Sequence, residues 1–231
     1  MDKKVQKESD INWIKWAIAA AVALFIIVLI SVYDISVYGI LEEGIKKEAE
    51  EDTSIADSMK IHEEQIRKDS LKVINKAKYN KALKDLKNFR VQKDKFEDSE
   101  FYSDKRTPKY SNENFIYPYI GRSDDHVWLR LKYQYASEDW LFINKAILLV
   151  DGVKYEIYGT WERDHNTSIW EWFDSPVTYS EIFMLEEIAN SKSAKIRYIG
   201  TQYHKDRVIT KKEKSIIKNT LEVFDGLKSK P

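Results

Sequence analysis

The sequence contains no cysteine, and it has only seven glycines and four prolines among 231 residues. The absence of cysteine excludes disulfides, thiolate zinc sites, cysteine nucleophiles and a lipid-modified terminal cysteine. The glycines never cluster into a phosphate-binding loop, and no Gly-x-Ser-x-Gly segment provides a serine nucleophile. Basic and acidic side chains number 38 each, so the zero net charge provides no general attraction for nucleic acid. We therefore expect a non-enzymatic protein without a cofactor, a metal or a nucleic-acid partner.

A long uncharged stretch near the start of the chain is the clearest positive feature. Residues 16–33 are eighteen consecutive residues without charge, and a single serine is polar among them. As a helix the stretch would be about 27 Å long, close to the hydrocarbon thickness of a bilayer. A buried core helix would need more surrounding protein, and the small residues of a cleaved signal (Ala19, Ala21, Ala23) precede the most apolar part. The sequence therefore predicts an uncleaved transmembrane anchor over residues 11–33.

Basic residues near this span predict its orientation. Four lysines lie before the hydrophobic stretch and two lie soon after it: Lys3, Lys4, Lys7 and Lys15, then Lys46 and Lys47. Because the more basic flank stays in the cytoplasm, we expect residues 1–10 to form a cytoplasmic tail. The rest of the chain would then lie across the membrane, with residues 11–33 as its contact with the lipid bilayer.

Residues 34–95 are strongly charged and are predicted to form a helical stalk. No glycine or proline occurs between residues 55 and 89, and good helix formers dominate. Two rows spaced by seven residues resemble a coiled-coil seam: Met59, Ile66 and Val73, then Ile55, His62 and Asp69. The polar members of the second row weaken the prediction of a homodimeric coiled coil. We favour the alternative, a solvated helix whose last third packs on the domain that follows.

Residues 96–126 are predicted to form an irregular linker across the surface of that domain. Charged, polar and aromatic residues alternate here, and Pro108, Pro118 and Gly121 act as breakers. Residues 115–119 are expected to form at most a short edge strand.

An acidic cluster beside a histidine ends this linker, at Asp124, Asp125 and His126. Hard divalent cations prefer six or more oxygen ligands, and this cluster supplies two carboxylates. We favour a turn in which the aspartates accept backbone amides over a cation site.

Alternating apolar and polar residues beyond the linker predict β-strands, beginning with residues 127–135. Asp151-Gly152 separates two further β-forming runs, residues 147–150 and 153–157, and is a strong hairpin signal. The remaining strands are expected at residues 158–161, 169–173, 194–199 and 203–209. The short turns between strands favour an antiparallel sheet or a sandwich.

Two capping boxes mark helices in the same region. They have the Thr-x-x-Glu spacing, in which each side chain caps a backbone amide at the helix start: Thr178 with Glu181, and Thr210 with Glu213. The first helix is expected to end near Asn190, and Gly226 is expected just past the end of the second. Residues 127–228 are therefore predicted to be an α+β domain, with a mainly antiparallel sheet or sandwich and two helices.

The last strand pair and the start of the last helix, residues 194–214, read AKIRYIGTQYHKDRVITKKEK. The distinctive residues of this stretch are Lys195, Arg197, Gly200, Tyr203, Asp206, Arg207 and Thr210. The segment resembles the closing part of an uncharacterised family of bacterial envelope domains, which are carried behind signal peptides or single membrane spans. The resemblance implies a bacterial envelope location. Together with the predicted anchor, this predicts a protein of the bacterial inner membrane with its C-terminal domain in the periplasm or outside the cell. It implies no activity and no ligand.

Tryptophans and glutamates cluster on the predicted sheet, at Trp161, Glu162, Trp170, Glu171 and Trp172. Aromatic rings beside carboxylates are typical of a sugar-binding sheet face, and two carboxylates serve as acid and base in a glycosidase. The alternative is that the tryptophans pack together and the glutamates alternate outward.

A charged patch surrounds the last strand pair, and Arg197 and Arg207 are its arginines. Such a patch could bind an anionic partner. The alternative is that the charges protect an edge strand against pairing with another chain.

No single activity emerges from these patterns. We expect a non-enzymatic binding or scaffolding domain, whose partner is another envelope protein or the wall glycan. One alternative is a membrane-tethered hydrolase or carbohydrate-binding module that uses Glu162 and Glu171. Another is a membrane protein that protects against a toxin or a phage.

Overall fold

This computed structural model describes residues 3–124 and 126–230, with their side chains except at residues 3–19, 26, 30–40 and 48–57. The chain divides into two compact units, Met1–Lys68 and Asp69–Pro231. One long helix, α1, extends over Lys3–Asp85.

In the first unit the described side chains of α1 are exposed, including those of Met59 and Ile66. This exposure is what a solvated helix requires, and the coiled-coil dimer stays a prediction. The predicted membrane segment, residues 11–33, lies largely outside the described side chains. In the part of the chain that is described, no helix combines the length and the apolarity needed to cross a bilayer.

The second unit consists of the end of α1, a 3-10 turn at Leu86–Asn88, strands and two further helices. In chain order the strands are β1 (Phe89–Asp94), β2 (Ser99–Asp104), β3 (Phe115–Ser123), β4 (His126–Ser137), β5 (Lys145–Val150), β6 (Val153–Tyr158), β7 (Glu162–His165), β8 (Ile169–Pro176), β9 (Ala194–Ile199) and β10 (His204–Val208). The helices are α2 (Tyr179–Asn190) and α3 (Lys211–Lys228).

The strands form two antiparallel sheets. The first has six strands in the order β1-β2-β3-β4-β8-β7, and the second has four in the order β10-β9-β5-β6. The predicted α+β class with mainly antiparallel sheets is therefore confirmed. The Asp151-Gly152 turn between β5 and β6 is confirmed as well, because both residues have positive φ, 44° and 97°.

The prediction of a strand at residues 158–161 is wrong, because β6 ends at Tyr158. A Cβ atom on Gly159 would lie 2.2 Å from the Phe173 ring, so the backbone here packs directly on an aromatic side chain. The chain leaves the sheet at this glycine and buries Trp161, before β7 begins at Glu162.

The prediction of irregular chain over residues 96–126 is also wrong. This segment contains β2 and β3, and β3 is a nine-residue strand inside the six-stranded sheet. Pro118 is tolerated because β2 pairs only with residues 120–122 of β3, so the missing amide lies beyond that pairing. The neighbouring amide of Ile116 donates to Glu213 Oε1 at 2.9 Å, so a helix side chain takes the place of a strand.

Both predicted capping boxes are confirmed at the starts of α2 and α3. The two helices and both sheets share one core, whose fully buried members include Tyr133, Leu148, Leu185, Ile196 and Ile217. A second cluster joins the end of α1 to α3 and to the first sheet: Ala82, Phe89, Tyr102, Ile120, Leu129, Val223, Phe224 and Leu227.

Gly226 lies inside α3, not past its end as predicted, because α3 continues to Lys228. It is buried where the end of α1 crosses α3. A Cβ atom at this position would lie 2.7 Å from Ala82 Cβ and 2.9 Å from the Lys78 carbonyl oxygen. The glycine thus allows the two helices to approach closely, and the last turns of α1 belong to the folded domain.

Candidate functional site

The register of β8 against β4 decides which of the clustered residues face solvent. Glu171 is the partner of Tyr135, and Trp172 is the partner of Gln134. Tyr135 belongs to the shared core. Because side chains alternate along a strand, Glu171 faces that core, and Trp170 and Trp172 lie on the opposite, outer face of the six-stranded sheet.

Glu171 is completely buried and accepts four hydrogen bonds. Its Oε1 accepts the amides of Leu141 and Phe142, both at 2.9 Å, and its Oε2 accepts the amide of Ile143 at 2.8 Å. Arg163 Nε donates to the same Oε2 at 3.0 Å. The carboxylate therefore fixes the chain before β5 to the six-stranded sheet, which is a structural role.

Glu162 and Glu171 lie on opposite faces of the sheet. In the pairing of β7 with β8, Glu162 is opposite Trp172, and Arg163 is opposite Glu171. Glu162 is exposed on the outer face, whereas Glu171 is closed off in the core. These two carboxylates cannot flank one glycosidic bond, and the interpretation in which both glutamates alternate outward holds for Glu162 alone.

Trp161 is also part of the core. Its indole is 3% exposed and contacts the rings of Tyr133, Phe173 and Tyr198, with centroid distances of 6.3, 5.9 and 5.7 Å. Of the five clustered residues, Glu162, Trp170 and Trp172 share the outer face.

Arg197 and Arg207 do not form one patch. Arg197 makes a two-point ion pair with Asp206 on the neighbouring strand, with both N–O distances at 2.7 Å. Arg207 points inward, and its Nη2 lies 2.8 Å from Oε1 of the buried Glu213. Burial alone would lower the pKa of Arg207, but the neighbouring Tyr198 and Glu213 raise it above its ordinary value.

The outer face of the six-stranded sheet carries a groove of about 490 Å³, here called the outer-face groove. Strands β1, β2, β3, β4 and β8 form its floor, and the loop of residues 105–114 forms one wall. The lining residues used below are Phe101, Tyr110, Tyr117, Tyr119, Lys132 and Asp174. Tyr117, Lys132 and Asp174 are cross-strand partners in one row.

Arg90 holds the loop wall in place. Its guanidinium donates to the carbonyl oxygens of Lys105, Thr107 and Pro108 at 2.9, 3.0 and 2.9 Å. It also donates to Thr107 Oγ1 at 2.7 Å. These bonds from the two terminal nitrogens of Arg90 fix the wall to β1.

A hydrogen-bonded triad lies at one side of the groove. The Tyr119 hydroxyl donates to Asp174 Oδ2 at 2.8 Å, and Arg130 Nε donates to the Tyr119 oxygen at 2.7 Å and to Asp174 Oδ1 at 2.9 Å. Burial, and next the charge of Asp174, raise the pKa of Tyr119 well above its ordinary value. Tyr119 is therefore a neutral donor at any physiological pH, and the charge of Asp174 is balanced by Arg130.

Lys132 is a partly buried cation of the groove. Among the described residues, its Nζ has no hydrogen-bond acceptor and no carboxylate within ion-pair distance, although Asp174 is its cross-strand partner. Its Nζ lies over the Trp172 ring, 5.8 Å from the ring centroid. Burial lowers the pKa of Lys132, and the charges of Asp174 and Glu162 only partly oppose this.

Sequence reasoning missed Tyr119, Lys132 and Asp174. Tyr119 lies in the segment predicted to be a linker, and Asp174 lies past the end of the strand predicted at residues 169–173. The signal for Lys132 was present in the alternation of residues 127–135, which placed Arg130, Lys132 and Gln134 on the polar face.

The structure describes only part of the acidic cluster at the end of β3. Asp125 lies outside the described residues, Asp124 adopts φ 41°, and the His126 ring stacks on Trp128 at 5.4 Å. Among the residues that are described, no group of three or more histidine or acidic side chains could hold a metal ion.

No protein-family model matches the sequence, and comparisons with curated proteins and with solved structures found no match. The resemblance of residues 194–214 to bacterial envelope domains stays a prediction.

Proposed function

We propose that this chain is a single-pass protein of the bacterial inner membrane that binds an envelope glycan through the outer-face groove, without catalysing a reaction on it. Residues 11–33 would anchor it in the lipid bilayer with the N-terminus in the cytoplasm. Residues 69–230 would lie in the periplasm or outside the cell.

The membrane part of the proposal is supported by the sequence of the first unit. Residues 16–33 are uncharged, and the basic residues favour the side before them. Within this stretch, the described side chains of Leu24, Phe25 and Ile27 are more than half exposed, at 64, 65 and 61%. An apolar helix surface of this kind needs a covering, and a lipid bilayer provides one.

The observation that carries the binding part is the composition of the outer-face groove. Aromatic rings of Phe101, Tyr110 and Tyr117 line it beside the polar groups of Lys132 and Asp174. Ligand sites combine aromatic walls with a few positioned polar groups in this way, and sugar rings use both their apolar faces and their hydroxyls.

Hydrolysis is disfavoured by the carboxylates of the groove. A glycosidase needs two of them about 5 to 9.5 Å apart across the scissile bond. Among the described lining residues Asp174 is the single carboxylate, and Arg130 and Tyr119 already occupy it. Glu171, the other candidate, lies in the core.

The membrane anchor and its orientation are tested on membranes from cells that make the full chain. We expect the protein to stay in the membrane pellet after alkaline washing, and protease added to spheroplasts to digest residues 69–230. Release into the supernatant contradicts the anchor, and protection from protease reverses the orientation.

Binding is tested by sedimenting the detergent-solubilised full chain with purified cell-wall glycan. Tyr110→Ala removes a ring that is 65% exposed at the groove, and the control Tyr203→Ala removes a ring that is 69% exposed elsewhere. We expect Tyr110→Ala to reduce the sedimented fraction severalfold and Tyr203→Ala to leave it unchanged. Equal behaviour of the two variants, or no sedimentation of the unmodified protein, contradicts the proposal.

A further inference from the structure

Lys132 is placed where a ligand group would meet it. Its row partners Tyr117 and Asp174 line the same groove, and Lys109 adds a second cation at the wall. The groove therefore contains two lysines, the Arg90 guanidinium and one carboxylate, and that carboxylate is already balanced by Arg130. The charge left without a partner among the described groove residues is positive.

We infer that the glycan bound in the outer-face groove is an acidic saccharide, whose sugar carboxylate pairs with Lys132. This inference rests on the proposed function and adds the chemical class of the ligand.

A carboxylate on the ligand is favoured because the described groove residues provide no acceptor for the Lys132 ammonium. The partly buried Lys132 ammonium has lost part of its water, no described residue gives it an acceptor, and burial lowers its pKa. A carboxylate in the groove would restore the missing interaction as a charge-assisted hydrogen bond. Asp174 does not do so, because its carboxylate lies beyond ion-pair distance of the Lys132 ammonium and is paired with Arg130.

A saccharide is favoured over an acidic peptide by the backbone around the groove. An extended peptide binds a sheet by pairing with an exposed strand edge. The groove lies on the face of the sheet, and β3 and β4 at its floor are paired with neighbouring strands. A ligand over β3 and β4 meets the side chains of these strands, among them the Tyr117 and Tyr119 rings that a sugar can use.

The test compares two forms of one oligosaccharide on the full chain in detergent. The probes are a galacturonic acid tetrasaccharide and the same tetrasaccharide with its carboxyls methyl-esterified, and calorimetry measures both dissociation constants. We expect the acid to bind about tenfold or more tightly than the ester, as one charge-assisted hydrogen bond implies.

Variants then assign the preference to Lys132. Lys132→Met should bind acid and ester equally, and its melting temperature, measured by circular dichroism, reports that the domain is still folded. Lys132→Arg should keep the preference, and Lys195→Met, which removes an exposed lysine on β9, should keep it as well.

Five results overturn the inference, and the first is an acid preference that persists in Lys132→Met. Equal binding of acid and ester by the unmodified protein does so while the proposed function stands. Loss of the acid preference in Lys195→Met also overturns it, because the preference would then depend on the net charge of the protein and not on the groove. Failure of both probes overturns it, and whether the proposed function also fails is read from the sedimentation with wall glycan. Equally tight, Lys132-dependent binding of a poly-glutamate peptide shows that the ligand is not a saccharide.

Discussion

Arg163 Nε lies 3.0 Å from Oε2 of Glu171, and this ion pair lies on the core-facing side of the six-stranded sheet. The same arginine donates to the Ile143 carbonyl oxygen at 3.0 Å, while Glu171 accepts the Ile143 amide. The pair thus binds both polar groups of one residue in the chain before β5. Phe142, next to it, has φ 54°, and the three amide bonds to Glu171 hold this left-handed conformation in place.

Glu171→Gln tests the structural role of this carboxylate. The amide can accept at one oxygen only, and its NH₂ group would face backbone N–H donors and Arg163. We expect a loss of about 2–4 kcal/mol in the free energy of unfolding, as for other buried charges that lose a partner. Urea unfolding followed by tryptophan fluorescence measures it.

Glu162→Gln is the matched control, one strand away on the outer face. Because Glu162 is exposed, we expect a change within about 0.5 kcal/mol. Equal stability of both variants would contradict the structural role of Glu171. Loss of a measurable glycosidase turnover in either folded variant would support the hydrolase alternative.

Gly226→Ala tests the close contact between α1 and α3. The added methyl group would meet Ala82 Cβ at 2.7 Å and the Lys78 carbonyl oxygen at 2.9 Å. We expect a loss of about 1–3 kcal/mol from overpacking, although alanine favours a helix by about 1 kcal/mol over glycine. Thermal unfolding by circular dichroism measures the loss.

Gly44→Ala serves as the comparison because it places the same methyl group in α1 where no atom lies within 4 Å. It should leave the melting temperature unchanged or slightly raised. A Gly226→Ala variant as stable as Gly44→Ala would mean that α1 does not pack on α3.

Asp104 predicts a dependence of stability on pH. Burial opposes its charge, but hydrogen bonds from Arg106 and Asn219 outweigh burial and lower the pKa of this carboxyl below its ordinary value. A carboxyl with a lowered pKa in the folded state stabilises the protein above its unfolded pKa of about 3.9, and this contribution is lost as the pH falls through the folded pKa.

Asp104→Asn should therefore be less stable than the unmodified protein by about 1–3 kcal/mol at pH 7. The difference should shrink when urea unfolding is measured at pH 3 and below. Asp139→Asn, at an exposed carboxylate, should show no difference at either pH. If the stability difference between Asp104→Asn and the unmodified protein increased as the pH fell, the lowered pKa of Asp104 would be contradicted.

Local sequence signals predicted the elements that depend on near neighbours. The capping boxes at Thr178 and Thr210 and the turn at Asp151-Gly152 are confirmed, because each is decided within four residues of chain. The strand β3 was missed because Pro118 and Gly121 indicate breaks locally. Its tolerance of proline depends on where β2 stops pairing, which is a long-range property.

The orientation of Glu171 could not be predicted from β8 alone. Both faces of that strand carry large apolar side chains, Trp170 and Trp172 on one side and Ile169 and Phe173 on the other, so hydrophobicity does not identify the buried face. The outer-face groove was missed for the same reason, since register alone brings Tyr117, Lys132 and Asp174 into one row.

The central claim, that the outer-face groove is the binding surface, is tested most directly by chemical footprinting of lysines. The solubilised full chain is acetylated with and without soluble wall-glycan fragments, and mass spectrometry measures the modification of each lysine. We predict that the fragments protect Lys109 and Lys132 in the groove, while Lys195 and Lys205 on the second sheet react as before. Protection of Lys195 and Lys205 instead, or equal reactivity of all four lysines with and without glycan, would contradict the account.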